Sequence, residues 1–291
     1  MITIYTRSTS PRTKEFWKWI ARRVVGKYSG PNAVEDSLLR GLKKLNVPFQ
    51  RNTKPLRGDT VVVLSGIEAL REAIAIKETG LIQKIVAGPN IIANPNDADR
   101  IMCDKNIDII PVPSQWVADL WIHEAPELAD KIRVWPAGVQ ISTPSTRDGL
   151  PIIYNKLRNP ELVVQVQETI GVCHVFTYGA FKQQDYLKAL ADAPYLIYLA
   201  QSESQGLALQ EAWAHDVPTL VNQSDHWKSK VMSWNAPQIN APYLTPLLGS
   251  VFNTVDELPE LIEQSTRLHP KQYCDTHLSD EASAQILLNL L

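Results

Sequence analysis

Short apolar runs rich in β-branched residues recur along the chain, and between them apolar positions return every three or four residues. Residues 2–5, 60–64, 84–87, 107–111 and 132–135 have the near-continuous apolar character of strands buried on both faces. Residues 32–45 and 67–78 carry the 3.6-residue period of amphipathic helices. Strands alternating with helices predict an α/β domain with a parallel sheet covered on both sides.

The same grammar restarts after Pro136-Ala137-Gly138 and a polar stretch at 142–149, which is expected to be an interdomain linker. The second series of strands falls at 151–154, 173–177, 195–199 and 218–221. The length of 291 residues fits two domains of ordinary size, expected at 1–140 and 141–291, with the last helix packing back on the first. Two doubly wound domains of this kind hold ligands at the carboxyl ends of their strands, in a cleft between facing sheets.

Composition narrows the field. A hydrophobic fraction of 44% and a charged fraction of 21% are those of a folded globular protein. The net charge of -2 provides no global field for a polyanion, so nucleic acid is not an expected partner. No apolar leader opens the chain and no run approaches the ~20 residues that span a bilayer, so the expectation is a cytoplasmic protein. Cys103, Cys173 and Cys274 are too scattered for a disulfide framework or a zinc site and are expected to be reduced, mostly buried thiols.

The segment from Ser202 to Val221 carries the chemistry. Glu203 falls in the loop after a predicted strand, Gly206 stands where the next helix begins, and Glu211 lies about a turn and a half further on. Amides near Gln205, Gly206 and Leu207 at a helix start favour a phosphate. An ionised carboxylate at Glu211 accepts two hydrogen bonds from a vicinal diol such as a ribose, and Glu203 in the loop is placed to reach a sugar.

This stretch resembles the E-x7-E signature of the retaining glycosyltransferases of family 4 and their relatives. It includes the Gly206-Leu207 pair after the first glutamate, the Glu211-Ala212 pair and the Val217-Pro218 entry into the next strand. Three further segments are similar to the same family in the same order: Val112 to Val117, Ile132 to Val139, and Tyr178-Gly179. The resemblance implies a GT-B fold of two Rossmann-like domains facing each other across a cleft. It also implies a hexosyltransferase-like enzyme that moves a sugar from a nucleotide-diphosphate sugar with retention and without a metal or other cofactor. In the family the second glutamate binds ribose and the first lies against the donor sugar, roles that fall on Glu211 and Glu203. Ser204, Gln205, Gly206, Leu207, Tyr178 and Gly179 would line the same donor site.

The match departs in two places. The family usually has Gly-Arg and a Lys five residues on after the first strand of the C-terminal domain, holding the pyrophosphate. Here Lys156 takes the Arg position, Glu161 the Lys position, and Arg158 intrudes between. Lys156, with Arg158 beside it, is expected to do that work, although an ammonium lacks the bidentate fork of a guanidinium. In the N-terminal domain the family's glycine-rich turn is represented by Ser29-Gly30-Pro31-Asn32 alone, and Asn90 occupies the region of the usual histidine. Gly30, Asn32 and Asn90 are therefore the candidates on the acceptor side, the acceptor being a glycan, a lipid-linked glycan or a small molecule.

Other signals lead elsewhere. Asp97-Ala98-Asp99 matches the metal-binding D-x-D of another glycosyltransferase fold, but its place after Asn94-Pro95-Asn96 predicts a helix start. There is no G-x-G-x-x-G after the first strand, no Walker A sequence and no H-E-x-x-H, so no metal site is expected. Trp116 and Trp213 sit on predicted helices as core residues. Residues 14–27 place Phe16, Trp17, Ile20 and Val24 on one helical face, and six basic residues oppose one acidic residue from Arg12 to Lys27. That segment is either a helix packed on the first sheet or a peripheral membrane contact. A nucleotide-sugar epimerase and a catalytically silent donor- or glycan-binding protein are the alternatives to a transferase.

Overall fold

The computed structural model describes residues 1–8, 12–13, 17, 30–53, 56, 58–157, 159–229 and 232–291. Arg158 and, apart from Trp17, the segment 14–27 lie outside the described residues. The chain divides into two compact units, one of Met1–Gly138 with Ser283–Leu291, the other of Val139–Ala282.

The first unit has a four-stranded sheet in the order β2-β1-β3-β4, from β1 (Ile2–Tyr5), β2 (Phe49–Arg51), β3 (Gly58–Ser65) and β4 (Ile82–Asn90). Every pairing in it is parallel. Helix α1 (Gly30–Lys44) connects β1 to β2 and buries Val34, Leu38, Gly41 and Leu42, the stripe its period predicts. Helix α2 (Ile67–Glu78) connects β3 to β4. A second parallel pair, β5 (Ile110–Val112) with β6 (Ile132–Val134), flanks helix α3 (Gln115–Glu124). The Trp135 indole donates to the Ser283 carbonyl at 2.9 Å, and the Ser283 hydroxyl donates to the Pro136 carbonyl at 2.7 Å. The final helix, Asp280–Leu290, thereby returns most of its length to this unit.

The second unit is built on a five-stranded sheet in the order β13-β10-β9-β7-β8. Its strands are β7 (Ile152–Asn155), β8 (His174–Thr177), β9 (Leu196–Leu199), β10 (Thr219–Asn222) and β13 (Gly249–Phe252), all parallel. Successive residues of a strand point to opposite faces, and the core divides accordingly. Ile152, Tyr154, Leu196 and Tyr198 join one cluster with Tyr186, Leu209 and Trp213. Ile153, Ile197, Leu199 and Leu220 join the other with Val163, Val166 and Phe252. Helix α4 (Pro160–Ile170) starts at Asn159, whose side chain accepts from the Leu162 amide, with Pro at the first helical position where its missing N–H costs nothing. Helices α5 (Gln183–Leu190) and α6 (Leu207–Ala214) complete the crossovers, and α7 (Leu258–Ser265) and α8 (Pro270–His277) follow β13.

Several expectations are corrected. The stretch 142–149 is not a free linker, because Ser142, Ser145, Thr146 and Gly149 each give a backbone hydrogen bond to the second unit, and Arg147 pairs with Asp216 at 2.9 Å. Asp97 and Asp99 do not open a right-handed helix, since Ala98, Asp99 and Arg100 all have left-handed φ angles. Of the three free cysteines Cys274 alone is buried. Trp116 and Trp213 are core residues, 7% and 1% exposed. Three short elements lacked a periodic signal: β2, β13 and the antiparallel hairpin of β11 (His226–Lys228) with β12 (Ser233–Asn235). Among the described residues no helix is long and apolar enough to cross a membrane.

Candidate functional site

In a parallel sheet, connections that leave two neighbouring strands in opposite directions open a crevice at their carboxyl ends. In the second unit β7 leads through α4 to β8 on one side, and β9 leads through α6 to β10 on the other. The crevice therefore lies between β7 and β9, and it receives side chains from the loops that follow both strands. Lys156, the first residue after β7, places its ammonium 2.6 Å from Oε1 of Glu203, from the loop after β9.

Backbone contacts hold both loops. The Lys156 and Leu157 amides donate to the Leu199 carbonyl at 2.7 and 3.0 Å, and the Glu203 amide donates to the Ile239 carbonyl at 2.9 Å. The Asn222 side chain accepts from the Ala200 amide, and the Asn240 amide group donates to the carbonyls of Ala200 and Asn222. The loop carrying Glu203 is thus fixed at its start and again at the glutamate itself.

Beneath the charged pair lies a layer of rings. Tyr154 and Tyr198 face each other across the β7–β9 register and stack with centroids 5.1 Å apart. Tyr186 meets Tyr154 edge-on at 5.2 Å and donates from its hydroxyl to the Ala208 carbonyl at 2.7 Å. The Tyr198 hydroxyl donates to Oε1 of Glu203 at 2.5 Å, so one carboxylate oxygen serves both the ammonium and the phenol. Burial holds the Tyr154 phenol well above the ordinary tyrosine range, and the charges of Glu203 and then Glu211 push it further. Tyr198 is raised for the same reasons, burial first and Glu203 second.

Glu211 stands in α6, which starts after Gly206. That glycine has φ 81 and ψ 46, a left-handed conformation that residues with a Cβ adopt at a cost. The turn lets the chain pass from the Glu203 loop into a helix whose first-turn amides have no intrahelical acceptor. The Gln183 amide, at the start of α5, donates to Oε1 of Glu211 at 2.6 Å. Burial nevertheless pushes the Glu211 carboxyl up to about 7, an effect that the Gln183 hydrogen bond opposes.

The other expected donor residues surround this centre in different ways. Tyr178 is half exposed at the end of β8, with the Lys156 ammonium 4.9 Å from its ring centroid. Gly179 follows with φ +85 and open space around its Cα. Gln205 and Gly206 are buried, Ser204 is exposed, and Leu207 is the first residue of α6. Of the residues expected on the acceptor side, Gly30 and Asn32 are exposed at the start of α1, and Asn90 ends β4 opposite Ser65. Asp99 lies elsewhere in the first unit, paired with Arg71 at 3.3 Å. Sequence reasoning missed Tyr154, Tyr198 and Gln183. The tyrosines read as ordinary strand residues until the β7–β9 register pairs them, and Gln183 reaches Glu211 across 28 residues of chain.

Sheet and switch-point geometry are those of a doubly wound α/β protein, and solved structures of GT-B glycosyltransferases match it over nearly the whole chain. Anabaena HepE, in complex with UDP and glucose, is similar with a TM-score of 0.60 at 10% identity, covering 99% of this chain and 98% of that one. The lipopolysaccharide outer core galactosyltransferase WaaB gives 0.57 at 12% identity, covering 99% and 98%. AviGT4, a glycosyltransferase involved in avilamycin A biosynthesis, gives 0.56 at 10% identity, covering 99% and 96%. Neither a family model nor a curated protein matches the sequence. The chain thus has the fold of GT-B glycosyltransferases.

Proposed function

We propose that this protein transfers a sugar from a nucleotide-diphosphate sugar to a glycan, lipid-linked glycan or small-molecule acceptor, with retention of anomeric configuration and without a metal. One observation carries the proposal: Lys156 and Glu203 pair at the switch point of the second sheet, and Glu211, in the helix that follows the Glu203 loop, lies with Glu203 near the Tyr154 phenol. The diphosphate lies against Lys156 and the first-turn amides of α6, which stabilise the charge that develops on it as it departs. Glu211 accepts from the ribose diol, and Glu203 faces the sugar. The anomeric carbon loses its bond to the diphosphate oxygen and gains one to the acceptor oxygen on the same face. The acceptor's proton passes to the departing phosphate.

Thermal unfolding against a panel of nucleotide sugars tests this directly. A donor at about 100 times its dissociation constant adds about 2.7 kcal/mol of stability. No stabilisation by any nucleotide sugar would remove the donor site. The product then decides the reaction: an acceptor glycoside with the donor's anomeric configuration, formed in excess EDTA, is expected. A rearranged donor would make the protein an epimerase, and binding with no turnover would make it a donor-binding protein. Activity that EDTA abolishes and Mn2+ restores would direct attention to Asp97 and Asp99.

A further inference from the structure

Oε1 of Glu203 accepts from two groups of opposite character. Lys156 supplies a charged donor on a flexible stem, 29% exposed, and Tyr198 supplies a neutral donor on a rigid ring that is 1% exposed. The tyrosine ring is buried and stacked on Tyr154 at 5.1 Å, which leaves its hydroxyl little freedom to move. The ammonium does not share that constraint. An arriving diphosphate is a second anion on the same cation, and the attraction of Lys156 for Glu203 weakens as its charge is divided between them.

We infer that Tyr198 is a positioning residue, holding Glu203 against the donor sugar when the diphosphate draws the charge of Lys156 away. The inference rests on the donor-site proposal above. Two consequences follow. Glu203 competes with the diphosphate for Lys156, so neutralising it should tighten binding of a nucleoside diphosphate that carries no sugar. The Tyr198 hydroxyl matters more in the occupied site than in the empty one, where Lys156 still holds the carboxylate.

Calorimetric titration of UDP, GDP and ADP into four proteins tests both: wild type, Glu203→Gln, Tyr198→Phe and the double variant. Glu203→Gln is expected to bind the accepted diphosphate about three- to tenfold more tightly, through removal of a competing charge. Tyr198→Phe is expected to bind it about two- to tenfold more weakly, the upper end being the full worth of a charge-assisted hydrogen bond that the empty site also makes. In the Glu203→Gln background the same Tyr198→Phe change should alter affinity by less than about twofold, because the carboxylate it serves is gone. A purely structural tyrosine would weaken binding equally in both backgrounds, and that result overturns the inference. So does an unchanged affinity in Tyr198→Phe, a Glu203→Gln protein that binds no more tightly, or a Tyr198→Phe protein that does not fold. A wild type that binds none of the three nucleotides removes the donor site and this role together.

Discussion

Each unit sets a buried tyrosine near the carboxyl end of a central strand and gives its hydroxyl to a glutamate, but the two pairs keep different company. In the first unit Tyr5, the last residue of β1, donates to Glu72 at 2.6 Å, and the Ser8 hydroxyl donates to the same oxygen at 3.0 Å. In the second unit Tyr198 shares Glu203 with the Lys156 ammonium. Elsewhere in the first unit Arg51 is paired with the buried Glu35 at 2.6 Å. Neutral hydroxyls around a carboxylate make a fixed polar joint. Under the proposed function, a lysine beside a carboxylate at a switch point makes a place where one anion is exchanged for another. The difference also shows in Glu211, which the second unit keeps in surroundings that favour its neutral form.

The largest expected effect follows from that carboxylate. Glu211→Gln should weaken binding of the nucleoside diphosphate by roughly ten- to a hundredfold, the worth of a charge-assisted hydrogen bond of about 1.5 to 3 kcal/mol. Calorimetric affinities that agree within twofold would take Glu211 out of the site, and the second unit would then resemble the first.

The same residue sets a pH dependence of opposite sign for binding and for stability. Burial pushes its carboxyl up to about 7 in the folded chain from an ordinary 4.5, so between those values the folded state holds the extra proton. Stability should therefore fall as pH rises from about 4.5 to 7, by at most about 3 kcal/mol. Glu211→Gln should gain most of that back at pH 8 and nothing at pH 4 in urea unfolding. Affinity runs the other way, because the ribose diol needs the ionised carboxylate. Between pH 5.5 and 8 the diphosphate should bind wild type about tenfold more tightly, beyond any change seen in Glu211→Gln. Gln183→Leu removes the hydrogen bond that lowers this carboxyl, and should move the midpoint of the affinity profile upward. A profile that does not move would assign the shift to burial alone.

What the sequence disclosed follows the same division. The apolar runs at 60–64 and 195–199 announce their strands because central parallel strands are buried on both faces, as Val61 to Val63 and Leu196 to Leu199 are. Glu203, Gly206 and Glu211 were legible together because loop, helix start and helix follow one another within a few residues. Lys156 was legible as the residue after β7, but not its grip on Glu203, which depends on β9 lying next to β7 in the sheet. Tyr198 and Gln183 were illegible for the same reason: their partners are set by register and crossover, not by spacing. The short strands β2 and β13 read Phe-Gln-Arg and Gly-Ser-Val-Phe, without the continuous apolar run that marks the strands buried on both faces.

The smallest expected effect separates the two tyrosine–glutamate pairs most sharply. Tyr5→Phe deletes a hydroxyl as buried as that of Tyr198, from a ring that is 0% exposed, and takes a donor from Glu72. The Ser8 hydroxyl still serves that carboxylate, so the cost is that of one hydrogen bond to a charged group, about 1.5 kcal/mol. Among the described residues no lysine shares the bond, and Glu72 lies in the other unit from Lys156 and Glu211, so diphosphate affinity should stay within twofold of wild type. Urea unfolding and calorimetric titration of the same preparation measure both numbers. Tyr198→Phe is the matched deletion in the second unit, and it should weaken affinity by about two- to tenfold. If Tyr5→Phe weakened the diphosphate as much as Tyr198→Phe does, the loss would report general loosening of the chain. The contrast between a fixed joint and an exchangeable one would then have no energetic content.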